Sequence, residues 1–92
     1  MSDNRQRRLN SDIRRFNKSL ANDSFLGLKR FKVAQKARYE GYDGYTRIYL
    51  IELIDTKTNE SKEIHVNDYD YQRKIFWGMN DFIIEIRKKE NW

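Results

Sequence analysis

Lys29, Arg30, Lys32, Lys36 and Arg38 fall within ten residues, and no Asp or Glu interrupts them. Arg47 follows, and Tyr39, Tyr42, Tyr45 and Tyr49 interleave with these cations. Cations in such a run neutralise phosphates and release counterions. Aromatic rings between them offer faces on which exposed bases stack. Upstream, Arg5, Arg7, Arg8, Arg14 and Arg15 extend the same chemistry toward the N-terminus. The residue types point to nucleic acid, DNA or RNA, held by its backbone. The plainer alternative is a solvated face, whose Lys and Arg only keep a small domain in solution.

Catalytic chemistry finds little support. His65 is the one histidine, with Glu63 and Asp68 nearby, and no cysteine is present. No nucleophile-elbow pattern occurs. Glu52, Asp55 and Glu63 come close in a paired-strand reading, but no spacing marks two of them as an acid and a base. Asp68-Tyr69-Asp70 lacks the glycine and distal glutamate of a calcium loop and reads as helix capping. Gly41-x-x-Gly44 is hairpin chemistry, because no helix follows to receive a phosphate. The expectation is a non-enzymatic protein without metal or cofactor.

Ninety-two residues make one domain near the lower limit for a stable core. The net charge of +5 conceals an asymmetry. Residues 1–39 hold eleven Lys/Arg and three Asp/Glu, a net of +8; residues 40–92 hold eight and eleven, a net of −3. A polyanion meets the first part and is repelled by the second. The absence of cysteine fits a reducing compartment. The N-terminal residues lack a signal peptide's apolar core, and no run of about 18 apolar residues exists to span a membrane. A cytoplasmic location is expected, with no membrane partner.

These side chains need elements to position them. Residues 1–8 read as a basic flexible tail and residues 9–92 as a single α+β domain. Leu9, Ile13, Phe16 and Leu20 recur at helical steps and predict a helix from about Arg7 to Ala21. Asn10 or Ser11 capping a shorter helix is the alternative. Phe25-Leu26-Gly27-Leu28 is an apolar connector expected to plug one end of the core. Phe31, Val33, Ala37 and Tyr39 alternate with Lys32, Ala34, Lys36 and Arg38, the period of a half-buried strand with a basic outer face. The helix-forming run Ala34–Ala37 is the competing reading. Glu40 to Gly44 is a hairpin loop, residues 45–54 are the central strand, and Ile64 and Val66 face the core from a third strand. Tyr71, Ile75, Met79, Phe82 and Ile86 then mark a long amphipathic helix. Gly78 in its middle and the β-branched run after it leave residues 82–88 as an alternative fourth strand. The expected architecture is αβββα, an N-terminal helix, a three-stranded antiparallel meander and a C-terminal helix. Both helices should cover one sheet face, leaving Lys32, Lys36, Arg38 and Arg47 with the tyrosines on the other.

The order helix, three strands, helix resembles double-stranded-RNA-binding domains. The three-stranded sheet with a helix also resembles the arm-binding and related DNA-binding domains, whose sheet enters the major groove. The RNA family relies on a lysine-rich start to its second helix; here Asn67-Asp68-Tyr69-Asp70 stands at that place and repels phosphate. A second class of function is a small inhibitor or adaptor that binds a host protein or nucleoprotein complex. Trp77 and Trp92, with Tyr69, Phe76 and Ile84, leave apolar area outside the buried stripe, and Trp, Tyr and Arg are favoured interface anchors. A small lysine- and asparagine-rich chain lacking cysteine and proline resembles proteins of phages and mobile elements.

Overall fold

The computed structural model of the protein describes residues 4–22, 28–35 and 37–91; the side chains of residues 4, 5 and 43 lie outside that description. The order is α1 (Asn4–Ala21), a short 3-10 turn (Leu28–Arg30), β1 (Phe31–Val33), β2 (Arg38–Asp43), β3 (Thr46–Asp55), β4 (Ser61–Asn67) and α2 (Tyr71–Lys89). This is an α+β fold with an antiparallel sheet between two helices in sequence. Residues 82–88 lie within α2 and form no strand. Helix wins there because Phe82, Ile83 and Ile86 are all buried, a helical spacing that no strand alternation reproduces.

β3 is the central strand. β4 pairs along it from Ile48↔Asn67 to Ile54↔Ser61. β1 pairs with residues 53–55 and β2 with residues 46–50, so both lie along the opposite edge. They are one edge strand interrupted at residues 34–37. The strand reading of 31–39 therefore holds at both ends. The break replaces its centre, in the stretch where helix and strand preferences compete.

Opposed residues in an antiparallel pair share a face. Tyr49, Ile51 and Leu53 of β3 face the helices, together with Phe31, Val33 and Val66. Leu9, Ile13 and Leu20 of α1 and Tyr71, Ile75, Met79, Phe82, Ile83 and Ile86 of α2 complete this core. Leu28, from the apolar connector, packs partly against it; Phe25 and Leu26 fall outside the described residues. Among the described residues, the other sheet face carries no helix. Leu50 is buried there beside Arg38 and His65 without joining the core.

Among the described residues no further strand pairs with the outer side of this edge, and α1 supplies partners for its backbone groups on both sides of the break. Asn17 donates through Nδ2 to the Val33 carbonyl at 2.8 Å and accepts from the Val33 N–H at 2.7 Å. Asn10 Oδ1 accepts from the Ala37 N–H at 3.2 Å, and Gln6 Nε2 donates to the Ala37 carbonyl at 3.0 Å. Gln6, Asn10 and Asn17 recur at steps of four and seven, so they form one stripe on the helix. This stripe corrects the N-terminal boundary. Residues 4–8 read as tail in sequence because they offer no apolar contact, yet they are the opening turns of α1, held by Gln6.

Gly78 has a packing reason. A Cβ at that position would lie 3.0 Å from Ile64 Cδ1, so glycine lets α2 settle closely on β4. The hairpin between β2 and β3 needs two more glycines. Gly44, at φ 68°, takes the first place of the two-residue turn, a position glycine favours. Gly41, at φ 115°, follows a bulge that leaves Glu40 without a cross-strand partner.

The far end is tied by charge. Arg30 donates from Nε and Nη2 to Asp55 at 2.9 and 2.6 Å, and from Nη1 and Nη2 to Glu90 at 2.9 and 3.0 Å. Asp55 is fully buried, and it also accepts from the Lys57 N–H and the Thr58 hydroxyl. Hydrogen bonds from the Arg30 guanidinium hold both carboxyls below their ordinary pKa values.

Two stability changes follow. Asn17→Ala orphans both polar groups of buried Val33 and should cost about 2 kcal/mol, read from urea denaturation. Asp55→Asn should cost about 3 kcal/mol, because it removes the fully buried carboxylate that partners Arg30 and leaves the guanidinium with Glu90 alone. Asp55 has a depressed folded pKa, so its contribution is complete above the unfolded value of about 4 and disappears as pH falls through the lower folded value. The wild-type urea midpoint should therefore drop on acidification below about pH 4, and more steeply than that of Asp55→Asn.

Candidate nucleic-acid interface

α1 positions its cations through its three other faces. Leu9, Ile13 and Leu20 enter the core, the amide stripe grips the edge strand, and Asp12 and Phe16 turn toward α2. At about 100° per residue, Arg7, Arg8, Arg14, Arg15 and Lys18 share the remaining arc of about 120°. All five are exposed. Arg5 lies in the same helix, with its side chain outside the described residues.

Asp12, the one acid of α1, is drawn away from this arc. Its carboxylate accepts hydrogen bonds from the Tyr71 hydroxyl and, at 3.1 Å, from Gln72 Nε2. Arg15 stands 3.8 Å from its other oxygen. Burial, and then the Asp12 hydrogen bond, push the Tyr71 phenol up to about 12, while Arg8 acts in the opposite direction. The cations also defy the helix dipole. No acid occupies the first turn, although the N-terminal end of a helix favours negative charge.

The tyrosines lie elsewhere than the sequence pattern suggests. Arg38 opposes Leu50, whereas Tyr39 opposes Tyr49, so these neighbours point to opposite faces. The bulge after Tyr39 then puts Tyr42 opposite Arg47. Tyr39, Tyr42, Arg47 and Tyr49 consequently share the helix-covered face, and the expected array of Arg47 and tyrosines on the open face does not form. Tyr39 packs against Tyr49 at 5.7 Å and against Tyr42 at 6.4 Å between ring centroids. Arg47 lies over the Tyr42 ring at 5.8 Å. Tyr49 is buried, while Tyr39 and Tyr42 are exposed and Tyr45 projects from the turn at 96% exposure. Arg8, Ser11 and Arg15 share a groove of 730 Å³ with Tyr49, Tyr69 and the carboxylates of Asp12 and Asp68, so the basic helix borders the buried end of the tyrosine ladder.

The remaining candidates separate. Lys32 and Arg38 are exposed on the open sheet face, where Arg38 pairs with Glu40 at 3.1 Å. Glu52 and Glu63 oppose each other on that face, so it is not a cation surface. Lys29 is exposed on the 3-10 turn. Arg30 is committed to Asp55 and Glu90 and leaves the candidate set. Lys36 lies outside the described residues. Lys18 and Tyr39 join the site. The Arg7–Arg14–Lys18 spacing of seven and four was the available signal for Lys18.

The carboxylates considered for acid–base work also divide, because Asp55 faces the helices and Glu52 and Glu63 face outward. His65 is exposed beside them. Among the described residues, no group of three or more His, Cys, Asp or Glu could hold a metal ion, and no helix is long and apolar enough to cross a membrane. The chain matches no protein-family model, and no curated protein and no solved structure is significantly similar to it.

The buried, Asp12-bonded phenol has a measurable signature. In an ultraviolet pH titration Tyr71 should ionise near pH 12, and Tyr71→Phe should abolish that step. The folded value lies above the unfolded one of about 10, so this phenol withdraws stability as pH rises past that value.

Proposed function

We propose that the protein binds the phosphate backbone of nucleic acid through the outward face of α1. The supporting observation is that five exposed cations share one face of a helix whose only acid is engaged by Tyr71 and Gln72. An 18-residue helix is about 27 Å long, enough to run beside several phosphates. Each neutralised phosphate releases counterions, so affinity arises without base reading and weakens with salt.

Tyr39, Tyr42 and Tyr45 extend the surface at the hairpin, with Arg47 over Tyr42. Their role is stacking on unpaired bases or contact with sugars, which makes single-stranded segments the ligand most sensitive to their loss. Cations opposing the dipole at the start of α1 fit this reading, because local rules are commonly broken where function requires it.

Fluorescence anisotropy with labelled duplex DNA, single-stranded DNA and RNA at several salt concentrations tests the proposal. Arg7, Arg14 and Lys18 replaced together by Ala should weaken binding and reduce the log–log salt slope by roughly 2 to 3. Lys32 and Arg38 replaced by Ala should change it far less. Circular dichroism should be unchanged in both, since Ala is a good helix former and none of these side chains is buried. Equal affinity and slope for the α1 variant and the wild type would remove α1 as the interface.

A further inference from the structure

α2 presents a second surface whose composition suits a different partner. Arg73, Trp77, Asn80, Ile84 and Lys88 recur at steps of four, three, four and four, a continuous seam about 22 Å long on the face turned from the core. Phe76 borders it. Phe76, Trp77 and Ile84 are 57%, 56% and 44% exposed. The Phe76 and Trp77 rings meet edge to face at 5.3 Å, which braces both. Beyond Phe76 the surface dips into an apolar groove of 400 Å³ between α1 and α2, lined by Phe16, Leu20, Met79 and Ile83 among the described residues. The helices run in the same sense, since Asp12 meets the start of α2 and Leu20 faces Ile83 across this groove. The seam and the groove on its Phe76 flank form one continuous surface with an apolar middle. A helix with apolar residues at i, i+3, i+4 and i+7 covers such a surface.

Charge selects the occupant. Exposed Arg73 and Lys88 stand at the two ends of the seam, and Asp81 is the acid at its outer margin. Glu85 lies farther round the helix and pairs with Lys62 at 2.9 Å. A second copy of this chain would bring the same cations against their own kind. We infer that the α2 seam docks an amphipathic helix of another protein, with an apolar centre flanked at both ends by Asp or Glu. This surface is separate from the outward arc of α1, and the inference stands apart from the nucleic-acid reading.

The test is selection of a displayed library of helical peptides on the intact protein, with a Trp77→Ser/Ile84→Ser variant as the counter-target. Both residues are partly exposed, so the variant should keep its circular dichroism and urea midpoint. The expected winners carry an apolar seam between acidic ends, and the double serine variant should not bind them. Arg73→Glu/Lys88→Glu should weaken them about tenfold or more and improve peptides with lysines at those ends. No enrichment over the counter-target, or winners indifferent to the charge reversal, would overturn the inference. So would sedimentation showing a concentration-dependent dimer that Trp77→Ser/Ile84→Ser dissolves, because the seam would then be covered by a second copy.

Discussion

Four backbone groups at the break in the edge strand, the N–H and C=O of Val33 and of Ala37, have no strand to satisfy them. Val33 and Ala37 are buried, so water is not a ready substitute. The solution is a helix that offers amides instead of a strand. Gln6, Asn10 and Asn17 fix how α1 is rotated about its axis, and that rotation decides the remaining surfaces. Leu9 and Ile13 face inward, Asp12 reaches Tyr71, and the cations have only the outward arc. The same amides block the edge against pairing with another chain at this point.

The opposite end of the molecule is secured by ions. Arg30 joins the 3-10 turn, the last residue of β3 and the C-cap of α2, and its carbonyl also accepts from the Thr56 N–H and hydroxyl. A charge held this tightly is lost to ligand binding. The two ends divide the basic residues into structural and available ones, and adjacency in sequence does not reveal which is which. Arg30 and Lys32 are two residues apart, yet one is mostly buried between carboxylates and the other is exposed.

The bare sheet face and the α2 seam belong to different kinds of surface. Ile48, Leu50 and Ile54 lie on the sheet face among Lys32, Arg38, Glu52 and Glu63, so opposite charges are interspersed and no single field results. α2 concentrates apolar area between two cations. α1 concentrates cations alone. A domain with this small a core has separated its charge by element, and each helix carries a distinct face.

The sequence by itself determined the order of elements, the inward faces of both helices and the alternation of β4. Those features depend on local periodicity, which burial enforces through repeats of 3.6 or 2. It also carried the charge asymmetry, since counting needs no geometry. Tertiary structure alone decided which basic and aromatic residues meet. A one-residue bulge at Glu40 sets the face of Tyr42, and register against β3 puts Tyr39 beside Tyr49. The strand break, the amide stripe that fills it and the burial of Arg30 are long-range pairings across sixteen to sixty residues. No local pattern encodes a partner at such a separation, because the free energy that selects it arises only when both segments are already in place.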